Sequence, residues 1–86
     1  MTGGKRPASM GKGWYFEPTI LACPGPKIST AREELFGPVL SAFRFNSEDD
    51  AVIAANDTRY GLAAGIFTSD GARALRVIRR LRAGVV

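Results

Sequence analysis

Glu33-Glu34-Leu35-Phe36-Gly37-Pro38-Val39 is the stretch on which the reading of this 86-residue chain turns. Two adjacent acids and an aromatic precede a Gly-Pro break, and the apolar run Val39-Leu40-Ser41-Ala42-Phe43 follows. Thr30 with Glu33 three residues on matches a capping box and predicts a helical turn over Ala31–Leu35. Gly37-Pro38 ends that turn, and Val39–Phe45 predicts a strand. The corner sets Glu34 and Phe36 at the end of a strand, where α/β proteins place their ligands.

Towards the C-terminus, Ser47 and Asp50 form a second capping box. Glu48, Asp49 and Asp50 put negative charge at the positive end of a helix predicted over 48–56, with Asn56-Asp57 as its stop. Tyr60-Gly61 turns the chain into Leu62–Thr68, a compact apolar run read as a strand. Ser69 or Asp70 caps a last helix whose Ala72, Leu75, Ile78 and Leu81 recur every three residues as one buried stripe. Gly84 falls where a C-cap glycine belongs, and Val85-Val86 read as the start of another strand. Strand, helix, strand, helix and strand start describe an α/β chain, a partial parallel β-α-β-α unit.

Towards the N-terminus, residues 1–13 carry four glycines and a proline and read as a flexible loop or tail. Trp14-Tyr15-Phe16 reads as an aromatic anchor. Thr19–Ala22 then predicts a short strand entered past Pro18, near a sheet edge. Residues 14–86 form the folded part.

Composition narrows the function classes. Hydrophobic residues make up 45% of the chain, which argues against wholesale disorder. No apolar stretch approaches the ~20 residues that span a bilayer. Lys5 and Arg6 lack the apolar core of a secretory signal. The single cysteine excludes an internal disulfide framework and fits a reducing, cytoplasmic compartment. Histidine is absent, which removes the commonest general base and metal ligand. The net charge of +4 is concentrated in Arg73, Arg76, Arg79, Arg80 and Arg82. Such a cluster raises nucleic-acid binding as an alternative. The apolar stripe on the same helix argues instead for a solvated amphipathic face.

The motifs are also similar, in order and spacing, to those of the NAD(P)-dependent aldehyde dehydrogenase superfamily. Glu33–Val39 resembles its E-E-[IL]-F-G-P-V signature. Gly13–Leu21 resembles G-x-[YF]-[YF]-x-P-T-[IVL]-L, and Ala55–Ala64 resembles A-N-x-[ST]-x-Y-G-L-A-A. Ile66–Asp70 and Ala83–Val86 resemble V-F-T-x-D and A-G-x-V. The resemblance spans about residues 3–86 and implies part of a catalytic domain, begun inside one family segment and ending where the family continues.

The resemblance implies that Glu34 holds the nicotinamide ribose and Phe36 packs by the nicotinamide ring, with NAD or NADP as cofactor and an aldehyde as substrate. A homo-oligomeric parent enzyme is implied too. A solvated carboxylate and a plain core aromatic stay open as the alternatives at these positions. The catalytic cysteine, its base, the oxyanion asparagine and the dinucleotide turn have no match here. Cys23, beside Pro24-Gly25-Pro26, reads as a passive thiol. No catalytic or metal-ligating residue is therefore assigned, and the 86 residues alone are expected to be inactive. They are also expected to fold poorly or to self-associate, or else to serve as a non-catalytic interaction module.

Overall fold

The computed structural model describes residues 2–86, which fall into two compact units, one running to Arg44 and the other Phe45–Val86. The first holds β1 (Thr19–Ala22), α1 (Ser29–Arg32) and β2 (Val39–Ala42). β1 and β2 pair in parallel, Thr19 opposite Val39 through Ala22 opposite Ala42. A β-α-β crossover is thus present in miniature.

β1 also has a neighbour on its other side. Thr2 and Ile20 exchange both main-chain hydrogen bonds in an antiparallel bridge, at 3.2 and 3.1 Å. β1 is thus an edge of the two-stranded sheet, as expected, with this single bridge on its outer side. Pro18 lies just outside the ladder, where its missing N–H leaves no gap. Gly3 allows the close approach: its φ is +77°, and a Cβ there would sit 2.3 Å from the Pro18 carbonyl oxygen.

α1 differs from the sequence expectation. It starts after Ile28, which makes no side-chain cap, and Thr30 lies inside it. Glu33 is past its end, extended at φ −100° and ψ 143°, so the Thr30–Glu33 capping box does not form. The Thr30 carbonyl instead accepts a 2.7 Å hydrogen bond from the Ser41 hydroxyl. A tie to β2 replaces the local cap.

The second unit holds α2 (Glu48–Asn56) and α3 (Gly71–Ile78). Ser47 caps α2 as expected, accepting from the Asp50 N–H at 3.1 Å, and Asp57 ends it. Asp70 caps α3, accepting from the Arg73 N–H at 3.1 Å. That helix stops at Arg79, five residues before Gly84, through i→i−3 bonds from Arg80 and Leu81. Gly84 is therefore not its cap. Its N–H donates to the Gly61 carbonyl at 2.9 Å, which begins a parallel bridge between Ala63 and Val85.

The strand predicted over Leu62–Thr68 is reduced to that bridge, and the one over Val39–Phe45 stops at Ala42. A strand exists only where another lies beside it. The α3 stripe is shifted as well. Ala74, Val77 and Leu81 are half-buried, whereas Ala72, Leu75 and Ile78 are exposed.

Burial is sparse. Among the described residues only Val52 of α2 and Thr19 of β1 are buried. Trp14 is fully exposed, and Tyr15 and Phe16 are about half exposed, so this cluster anchors no strand here.

Candidate functional site

Glu34 and Phe36 lie on the connection between α1 and β2. The extended Glu33 carries the chain out of α1, and Gly37-Pro38 turns it into β2. The turn is a tight one: the Gly37 carbonyl accepts from the Val39 N–H at 2.8 Å, with Pro38 at its centre. The Pro38 carbonyl then accepts from the Thr19 N–H at 2.8 Å, which pins the start of β2 to β1. Both candidate residues therefore precede the amino end of β2. The rule that α/β ligands gather at carboxyl ends does not extend to them.

The connection is exposed, as is most of the chain. Glu34 is exposed, and Phe36 is 98% exposed. The connection presents an acceptor-only carboxylate and a flat apolar face two residues apart. That pair can hold hydroxyls and cover a ring.

Cys23 is half-buried, and its thiol donates weakly to the Leu21 carbonyl, Sγ to O 3.6 Å. This contact suits the protonated thiol rather than a nucleophilic thiolate. No group of three or more His, Cys, Asp or Glu side chains that could hold a metal exists among the described residues.

Four of the five clustered arginines, Arg73, Arg76, Arg80 and Arg82, are engaged within the second unit. Arg76 grips Glu48 with two parallel hydrogen bonds, Nε to Oε1 and Nη2 to Oε2, each 2.7 Å. Arg73 and Arg80 stand 3.7 and 3.9 Å from the same carboxylate, and Arg80 pairs with Asp49 at 2.7 Å. The acids that begin α2, the cations Arg73 and Arg76 of α3 and Arg80 just past it thus form a clamp between the two helices. The Arg76 hydrogen bond holds the Glu48 carboxyl below the ordinary glutamate range. The Arg73 N–H does the same for the Asp70 cap. Cations committed to Glu48 and Asp49 are poorly placed to collect phosphates.

Sequence reading missed several residues that shape this unit. Asn56 donates from Nδ2 to the Arg80 carbonyl and accepts at Oδ1 from the Arg82 N–H, both at 2.8 Å. Its own carbonyl accepts from the Arg82 guanidinium at 2.6 Å. Gly61 and Gly84 let two backbones meet, since a Cβ at either would lie 3.2–3.3 Å from a carbonyl oxygen of the other segment. In the first unit the buried Thr19 hydroxyl accepts from the Gly4 N–H at 2.8 Å and donates to the Glu17 carbonyl at 2.7 Å. The available signals were the motifs themselves, Ala55-Asn56, Gly61-Leu62, Ala83-Gly84 and Pro18-Thr19. Which segment each one meets is not local information.

Residues 1–86 match the sequence profile of the aldehyde dehydrogenase family. The chain is 49% identical over 84 residues to a betaine aldehyde dehydrogenase of Brucella anthropi, covering 95% of this chain and 17% of that protein. It is 45% identical over 86 residues to the chloroplastic betaine aldehyde dehydrogenase of Beta vulgaris, 100% of this chain and 17% of the relative. The crystal structure of Mycobacterium tuberculosis aldehyde dehydrogenase complexed with NAD+ matches at a TM-score of 0.92 and 37% identity, over 98% of this chain and 17% of that one. The chain thus spans about a sixth of the length of each of these proteins.

Proposed function

The chain belongs to the aldehyde dehydrogenase family, and on that premise we propose that it forms the nicotinamide-positioning part of an enzyme oxidising aldehydes to carboxylates with NAD or NADP. The observation that carries this is the exposed Glu34 and Phe36 on one short connection, inside the E-E-L-F-G-P-V motif. When bound, the cofactor supplies the hydride acceptor. Glu34 holds the ribose hydroxyls through charge-assisted hydrogen bonds, and Phe36 lays its face beside the nicotinamide. Together they keep the ring in the narrow geometry that hydride transfer requires. Neither residue makes or breaks a substrate bond. Residues 14–86 contribute to one catalytic domain, a reading supported by a family match that runs unbroken along the chain.

The test is Glu34→Gln in a full-length family enzyme carrying this segment. Loss of a charge-assisted bond is worth about 1.5–3 kcal/mol, or roughly a 10- to 150-fold slowing of single-turnover hydride transfer or weakening of cofactor binding. Thermal stability should be unchanged. Unaltered cofactor affinity together with unaltered hydride transfer would refute the assignment.

A further inference from the structure

Building on the reading of Glu34 as the ribose-holding carboxylate, we propose that Ser41 is a positioning residue for the cofactor. Its hydroxyl ties α1 to β2 and so sets where Glu34 stands.

β2 alternates half-buried Val39 and Ser41 with exposed Leu40 and Ala42. Ser41 shares its face with Val39, where a half-buried strand ordinarily carries an apolar side chain. A hydroxyl at such a position needs a partner, and it finds one in another element. Ser41 Oγ donates to the Thr30 carbonyl at 2.7 Å, across eleven residues of chain. α1 has only four residues, too few for a helix to stand alone in water. The last carbonyls of a helix also need partners from outside it, and Ser41 supplies one. The Glu33 N–H in turn donates to the Ser29 carbonyl at 2.8 Å. The backbone immediately before Glu34 is therefore fastened to the same turn that Ser41 holds.

The connection that carries Glu34 and Phe36 is thus anchored at both ends, by different means. At the β2 end the Pro38 carbonyl accepts from the Thr19 N–H at 2.8 Å, a main-chain tie two residues from Phe36. At the α1 end the tie to the strand is the Ser41 side chain, and Glu34 is the candidate residue beside it. A carboxylate that must meet ribose hydroxyls is sensitive to shifts of about 1 Å in its support. Removing the Ser41 hydroxyl should therefore reach the cofactor through Glu34 and leave the Phe36 end in place.

The test is a double-mutant cycle in a full-length family enzyme carrying this segment, read as kcat/KM for NAD at saturating aldehyde. Ser41→Ala should lower it by about 2- to 10-fold, the worth of one hydrogen bond, with the aldehyde KM unchanged. Ser41→Thr keeps the hydroxyl, suits a strand and should recover most of the loss. In a Glu34→Gln background Ser41→Ala should cost less than about 2-fold, because the group it positions is already gone. A purely structural serine would give equal fold losses in both backgrounds, with a lowered melting temperature, and that result would overturn the proposal. So would an unchanged kcat/KM in Ser41→Ala where Glu34→Gln is impaired. A silent Glu34→Gln would instead overturn the reading of Glu34, and this role of Ser41 with it.

Discussion

Asn56→Ala should loosen one particular backbone bridge and leave the rest of the molecule as it was. The side chain makes two hydrogen bonds to the segment after α3, one given to the Arg80 carbonyl and one taken from the Arg82 N–H, both 2.8 Å. Each is worth about 1 kcal/mol net, and partial exposure lowers the pair to about 1–2 kcal/mol. The 2.6 Å bond from the Arg82 guanidinium to the Asn56 carbonyl survives, because it uses main chain. The effect should surface at Ala64, Gly84 and Val85, whose N–H groups bond Val85, Gly61 and Leu62 carbonyls respectively. Those amides should lose about 5- to 30-fold in exchange protection, the equivalent of 1–2 kcal/mol. The experiment is amide exchange on a full-length family enzyme carrying this segment, where the surrounding fold is secured. Asn56→Asp keeps the acceptor and loses the donor, so it should fall between. Unchanged protection at all three amides in Asn56→Ala, or a uniform loss across the protein, would refute the reasoning.

The α2–α3 clamp should be acid-sensitive. Glu48 has its carboxyl lowered in the folded state by Arg76, so its contribution is complete above the ordinary glutamate value of 4.5 and fades as pH falls through the lowered value. Exchange at α3 amides should rise in that window, and Glu48→Gln should reduce the pH dependence to the part carried by the Asp70 cap, whose carboxyl is also lowered. Thr19→Val should destabilise a full-length enzyme by about 1–3 kcal/mol, since the hydroxyl of a residue only 4% exposed serves both Gly4 and Glu17. An unchanged melting temperature would contradict this. The 86-residue chain assayed with NAD, NADP and several aldehydes should show no turnover. Activity that vanishes in Cys23→Ser would overturn the passive reading of that thiol.

Local chemistry was enough for part of this structure. Ser47 meets the Asp50 N–H and Asp70 meets the Arg73 N–H, each three residues along, so both helix starts follow from neighbours in the sequence. The Gly37-Pro38 corner is local in the same sense. The candidate pair Glu34 and Phe36 came from a motif, and the fold contributed their exposure. What depends on a distant partner was not readable. Leu62–Thr68 has the composition of a strand, yet only Ala63 pairs, because the sequence does not say how many neighbours will lie alongside. Thr30 and Glu33 have the spacing of a capping box, yet Ser41 takes the Thr30 carbonyl and the chain straightens at Glu33. The arginines in and just after α3 have the density of an anion-binding face until Glu48 is seen to hold Arg73 and Arg76, and Asp49 to hold Arg80, more than twenty residues away. A cap or a tight turn draws its energy from atoms a few bonds away and so is written into a short window. A ladder, a clamp or a buried face draws it from segments that meet only when the chain has folded.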